Sequence, residues 1–144
     1  MRQITGAWFV FMIQYAIQLF CRTMKPDPEQ AAARGRAGEE IATRYLKRHG
    51  LKVAARNYRV RGGEIDLICE DGSMLVFVEV RLRSHGGFGG AASSITHEKQ
   101  RRLILAARHW LLQHGDRNCR FDCIVMDAAE EMRIEWIKNA FPAE

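Results

Sequence analysis

Residues 63–81, GEIDLICEDGSMLVFVEVR, contain two alternating runs separated by Asp71-Gly72. An Asp-Gly pair between alternating runs is a strong signal for a β-hairpin with a tight turn. Alternation with period two sends successive side chains to opposite faces. One face then carries Ile65, Leu67, Cys69, Met74, Val76, Val78 and Val80. That face is wholly apolar and has to be buried. The other carries Glu64, Asp66, Ile68, Leu75, Phe77, Glu79 and Arg81. Its half-apolar character calls for partial cover, and that cover raises the cost of leaving its carboxylates unpaired.

A turn at Asp71-Gly72 places Asp66 opposite Phe77 and Glu64 opposite Glu79. Asp66 and Glu79 are then diagonal neighbours, roughly 7–8 Å apart at the backbone. Like charges at that spacing repel unless a cation lies between them. The plainer reading is a solvated face, with Glu79 paired to Arg81 or another arginine.

The rest of the chain supplies the cover. From about Pro28 the pattern is helical, with Ala42, Tyr45, Leu46 and His49 on the face that also holds Gly35 and Glu39. Gly50 ends this helix as a C′ glycine. Leu51–Val60 reads as a ragged strand before the hairpin. Thr96 is an N-cap for a helix over His97–His114, stopped by Gly115. RFDCIVMD, residues 120–127, reads as a strand. RIEWIKNAF, residues 133–141, reads as a last strand turning into a helical end. The order α, three strands, α, one or two strands predicts an α/β fold with a mixed central sheet flanked by helices.

A third carboxylate completes the pattern. Glu39 lies on the inward face of the first helix, whereas Glu40 aligns with Arg44 and Lys47 on a charged outer face. Glu39, Asp66 and Glu79 together are a hard-oxygen set suited to Mg²⁺ or Mn²⁺. Such an ion lowers the pKa of its bound water and stabilises charge on a phosphoryl group. The chemistry expected is phosphodiester hydrolysis.

Composition sets bounds on this reading. The chain has 144 residues and a formal net charge of +5, enough for one modest core and compatible with a polyanionic partner. Cys21, Cys69, Cys119 and Cys123 form no CxxC pair, so structural zinc is not expected, and reduced packing cysteines point to a cytoplasmic protein. The apolar stretch AWFVFMIQYAIQLF, residues 7–20, falls short of the ~20 residues that a spanning helix needs. It reads as an extra helix or as sequence upstream of a true start at Met24. Residues 1–23 are therefore taken as an extension and 24–144 as the domain. No membrane association is expected.

GRAGEEIATRYLKRHG, NYRVRGGEIDLI, LVFVEVRLR and SSITHEKQRRLILAARHWL resemble the YraN-like family of small bacterial proteins. That family is similar to the Holliday-junction resolvases of the restriction-endonuclease-like, or PD-(D/E)XK, superfamily. The resemblance covers about Ala31 to the C-terminus. It implies an αβββαβ core and a site built from a helix Glu, a strand Asp and an E-x-K tripeptide. Carried over, these are Glu39, Asp66 and Glu79. Gln100 matches an auxiliary polar position of the resolvase-like members. The lysine of the tripeptide is replaced by Arg81, which can stabilise charge but cannot readily give up its proton.

The resemblance implies a divalent-metal-dependent endonuclease acting on DNA, with branched or damaged DNA as candidate substrates, and a homodimer by analogy with resolvases. The alternative is a nucleic-acid-binding module with weak or no turnover, or a subunit of a DNA-processing assembly. Arg56, Arg59, Arg61, Arg83 and Lys99 bracket the site and are candidates for phosphate contacts. The HGGFGG loop lacks P-loop spacing, so no nucleotide cradle and no small-molecule cofactor are expected. Phe88 in that loop is a candidate for stacking on a base.

Overall fold

The computed structural model describes residues 27–83, 95–127 and 133–143. The expected 1–23 extension, Cys21 and the loop bearing Phe88 lie outside the described residues. Seven elements follow in chain order: α1 (Pro28–Arg48), β1 (Lys52–Val60), β2 (Gly63–Asp71), β3 (Met74–Arg83), α2 (His97–His114), β4 (Cys119–Asp127) and β5 (Ile134–Phe141). Arg34–Glu144 forms one compact unit, and the site described below lies entirely within it.

The helices begin and end where local chemistry dictates. Asp27 Oδ1 accepts from the Glu29 amide at 3.1 Å at the start of α1. Gly50, just past its end, has φ +89. Thr96 Oγ1 accepts from the Lys99 amide at 3.2 Å, and Gly115 follows the last turn of α2 with φ +93. No helix among the described residues is long and apolar enough to cross a membrane.

The five strands lie in the order β1-β2-β3-β4-β5. β1–β2, β2–β3 and β4–β5 are antiparallel, and β3–β4 is parallel. The sheet is therefore mixed, and α2 lies in the connection between the two parallel strands. The fold is the expected α/β arrangement, consistent with a restriction-endonuclease-like core. β5 is strand to Phe141, without the expected helical end. Pairing with β4 through Phe121↔Phe141 holds it extended.

Each face of the sheet has its own core. On one, Ala42 and Leu46 of α1 pack on Leu67, Cys69, Val76, Val78, Ile124 and Met126. Gly38 allows α1 to come close, because a Cβ there would meet the Leu82 and Met126 side chains at 3.3 Å. On the other, Leu103, Ala106 and Ala107 of α2 pack on Ile65, Ile68, Leu75, Phe77, Phe121, Cys123 and Val125. Complete burial of each large apolar side chain is worth about 1.5–3 kcal/mol.

Two sequence expectations need correction here. The hairpin turns at Gly72-Ser73, since Asp71 pairs with Met74, so Phe77 stands opposite Ile68 rather than Asp66. Gly72, at φ +61, takes the left-handed turn position. The slip moves the register by an even number and preserves the faces. Ile65, expected on the face of Leu67, instead joins the α2-side core. The alternation breaks between them, at Asp66. Opposite this break, β1 carries Asn57 at φ +49.

Candidate active site

The paired register of β2 and β3 ends at Leu67↔Val78, although both strands run on. Asp66 sits at this fork. Its Oδ2 accepts from the Val80 amide at 2.8 Å, in place of a backbone partner. The corrected register brings Asp66 next to Glu79, and the two carboxyls lie within hydrogen-bonding reach of each other.

Glu79 is 6% exposed. Its Oε1 lies 3.3 Å from Lys99 Nζ. Its Oε2 is the one buried side-chain polar atom without a hydrogen-bond partner among the described residues. With both carboxyls ionised, neither Asp66 nor Glu79 has a proton to offer the other. Burial, and then the charge of Asp66, push the Glu79 carboxyl up to about 7. Burial also raises Asp66, against the Val80 hydrogen bond and the Lys99 charge, while the charge of Glu39 adds to the rise.

The third carboxylate stands beside this pair. Glu39 Oε2 accepts from Asn57 Nδ2 at 3.0 Å. Among the described residues no three His, Cys, Asp or Glu side chains are grouped closely enough to hold a metal ion. The structure thus brings Asp66 and Glu79 together and leaves Glu39 close enough to act on Asp66 through its charge, its carboxylate tied to β1.

Lys99 occupies a different place from the one expected of a peripheral phosphate contact. Its Nζ donates to Glu64 Oε1 at 3.0 Å as well as approaching Glu79. Burial pulls the ammonium pKa down, but the Glu64 hydrogen bond and the Glu79 charge outweigh it, so the net shift is upward. The same hydrogen bond holds Glu64 below the usual carboxylate range, against a smaller opposing effect of burial. Arg102 Nη2 adds a longer contact to Glu64 at 3.9 Å.

Gln100 uses its amide Nε2 to donate to the Ile95 carbonyl at 3.0 Å. It braces the entry to α2 beside the site. Arg81 is half-buried on the Glu79 face of β3, where its charge acts on Cys123. Arg56 pairs with Glu40 at 2.8 Å and Arg83 with Glu135 at 3.1 Å, both at partly exposed positions. Arg59 and Arg61 are exposed. Further along the α2-side face of the sheet, a cleft of about 400 Å³ is lined by Arg83, Val125, Asp127, Arg133, Ile134 and Glu135.

Sequence reasoning missed Asn57 and the central position of Lys99. A signal existed for each. Asparagine is poor in strand interiors but tolerates positive φ. Lys99 is a long cation in the first turn of the helix that covers Glu79 and the half-buried Asp66. A second buried acid was also missed. Asp122 accepts from Arg120 Nε at 3.0 and 3.1 Å, from Trp136 Nε1 at 2.9 Å and from the Asn139 amide at 3.0 Å. Its oxygens are satisfied, unlike those of Glu79.

Burial pushes the Cys69 and Cys123 thiols up to about 12, which keeps both as inert packing groups.

The sequence model of the uncharacterised protein family UPF0102 matches residues 38–126. A UPF0102 protein of Dechloromonas aromatica is 56% identical over 116 residues, covering 81% of this chain and 94% of the relative. One from Methylobacillus flagellatus is 53% identical over 109 residues, covering 76% and 96%. One from Aeromonas hydrophila is 48% identical over 115 residues, covering 77% and 86%. The matched span contains α1 from Gly38, the hairpin, α2 and β4 up to Met126, and with them the acidic pair and Lys99.

Proposed function

The chain belongs to the uncharacterised protein family UPF0102, and from the site it carries we propose a divalent-metal-dependent endonuclease that hydrolyses phosphodiester bonds in DNA. One observation carries the reading: a buried carboxylate oxygen, Glu79 Oε2, has no donor and stands beside a second, half-buried acid, Asp66. Two like charges held this close are only partly compensated by Lys99, and either a proton on Glu79 or a divalent cation removes the remaining cost.

The donor set fits Mg²⁺ or Mn²⁺. Mg²⁺ is commonly held by one or two carboxylates, with water and substrate phosphate completing its octahedron. Asp66 and Glu79 would hold it. When bound, the ion supplies Lewis-acid stabilisation of phosphoryl charge and an acidified water.

The chain's own residues do the rest. The Val80 amide fixes the Asp66 carboxylate at the fork of the hairpin. Asn57 fixes Glu39, whose charge strengthens the negative potential at Asp66. Arg81 and Lys99 place positive charge beside the acids, where a phosphate approaching the pair meets it. Neither is a general base in this arrangement: the guanidinium keeps its proton, and the Lys99 ammonium is stabilised by Glu64 and Glu79. Arg59 and Arg61 at the β1–β2 end, and the cleft bearing Arg83, provide salt-sensitive contacts to the polyanion.

A second reading keeps the fold and the DNA contacts without turnover. It is favoured by the ion pair that Lys99 already makes with Glu79 and by Arg81 at the lysine position of the E-x-K pattern. Both readings meet one experiment. The full chain is incubated with duplex, flap and four-way-junction DNA, with and without Mg²⁺ or Mn²⁺. The endonuclease reading expects metal-dependent cleavage that Asp66→Ala abolishes. No cleavage by the wild type, or undiminished cleavage by Asp66→Ala, overturns it. Salt-dependent binding without nicking establishes the second reading in its place.

A further inference from the structure

We infer that Lys99 is a built-in counter-ion that a divalent cation has to displace from Glu79, with Glu64 as the group that keeps hold of the displaced ammonium. The inference rests on the metal-site reading above and assigns a residue that regulates loading of that site.

The geometry is a three-point arrangement. Lys99 Nζ lies 3.0 Å from Glu64 Oε1 and 3.3 Å from Glu79 Oε1. The two acceptors differ in environment: the side chain of Glu79 is 7% exposed and that of Glu64 is 34% exposed. Lys99 is the one cation within ion-pairing distance of Glu79 among the described residues. Glu64 has Arg102 as a further partner, whereas Asp66 and Glu79 set two negative charges against this one ammonium. That is consistent with the partnerless Glu79 Oε2.

A doubly charged ion at Asp66 and Glu79 changes the balance. Lys99 and the ion would then share one carboxylate, and at contact distances they repel each other even at an effective dielectric of ~20. Lysine has a flexible four-carbon stem and a point charge, so it can shift its weight without losing every partner. Glu64 already holds it at the shorter distance and lies nearer solvent. Arg102, at 3.9 Å from Glu64, and Arg59, whose charge also acts on Glu64, sit on the outer side and limit how much further positive charge Glu64 can accept. The cation-free site is therefore held by Lys99, and loading is a competition between an internal monovalent ion and an external divalent one.

The test measures Mg²⁺ binding directly, by isothermal titration calorimetry at pH 8.5, where Glu79 is ionised. Lys99→Met, with Lys99→Gln as a second variant, is expected to bind Mg²⁺ about tenfold more tightly or better than wild type. Glu64→Gln, which leaves the ammonium to Glu79 alone, is expected to bind more weakly than wild type. In the wild type, the Nζ signal of Lys99 in lysine-labelled NMR spectra is expected to move during the Mg²⁺ titration. Unchanged or weaker binding by both Lys99 variants, with wild-type binding intact, overturns the inference and leaves the metal-site reading standing. A Lys99 signal unmoved at saturating Mg²⁺ does the same. If neither the wild type nor the Lys99 variants take up the ion, both readings fall together. Uptake by the Lys99 variants alone is the inference in its strongest form.

Discussion

Asp66 Oδ2 accepts the Val80 amide at 2.8 Å across the point where the β2–β3 register ends. A side chain thus takes the place of a backbone acceptor, so Asp66 both closes the hairpin fork and stands within reach of Glu79. Structure and candidate chemistry meet in one carboxylate, and substitutions can separate them.

Asp66→Ala removes the acceptor and leaves the Val80 amide unpaired at a part-buried position. The expected loss is about 1–3 kcal/mol in urea unfolding without metal. Asp66→Asn keeps an oxygen for Val80 and removes the repulsion with Glu79, so its metal-free stability is expected to match or exceed wild type. Mn²⁺ is expected to raise the melting temperature of wild type and of neither variant. A rise for Asp66→Asn equal to that of wild type would remove Asp66 from the metal site.

Glu79 gives the pH dependence. Its folded-state pKa of about 7 lies above the 4.5 of an ordinary glutamate, so the folded state binds the proton more tightly than the unfolded chain. The stabilisation is complete below about pH 4.5 and is lost as pH rises through 7. Metal-free protein is expected to lose on the order of 3 kcal/mol from this group between pH 5 and 8. Glu79→Gln is expected to flatten that slope, and Mg²⁺ to offset the loss at pH 8. Melting curves across this range check the sign, and a wild-type stability that rises from pH 5 to 8 contradicts it.

The fold was largely legible because its signals are local. Alternation in 63–81, the Thr96 cap and the glycines at 50 and 115 each act within a few residues of themselves. The acidic pair was legible too, since both acids stand on the one hairpin and a two-residue slip of register leaves them neighbours across it. What was not legible depends on distant groups or local irregularity. Asn57 reaches Glu39 across 18 positions, and Lys99 reaches Glu64 across 35. Ile65 changed faces because the strand breaks step at Asp66, and period-two reasoning assumes an unbroken pleat.

Asp122 separates structural acids from site acids. It is 1% exposed and is held by Arg120, Trp136 and the Asn139 amide. Asn139 takes φ +52 within β5, near the register shift between Phe121 and Cys123. Asp122→Ala leaves Arg120 with Asp71 as its remaining partner and two N–H donors without their acceptor, and the expected cost is about 3 kcal/mol. The loss should be the same with and without Mg²⁺. A metal-dependent difference would mean that the network extends to the site.

Gly63 ties the backbone to the position of Lys99. It is buried in the first position of β2, where α2 crosses over it. A Cβ at Gly63 would lie 2.6 Å from the Arg102 carbonyl and 3.1 Å from the Ala106 amide. Those are backbone atoms of α2, so the helix itself has to move. Overpacking of this kind costs about 1–3 kcal/mol or more, and Gly63→Ala is expected to fall at the upper end. The consequence for the site is the sharper test. Lys99 sits one turn before Arg102 on α2, so a helix pushed off the sheet carries the ammonium away from Glu79. Gly63→Ala is therefore expected to destabilise the protein and also to lift the Lys99 contribution to Mg²⁺ competition, giving tighter binding per folded molecule. Adding Lys99→Met to Gly63→Ala should then change Mg²⁺ affinity less than it does in the wild-type background. Equal effects in the two backgrounds would show that α2 absorbs the clash without moving its first turns.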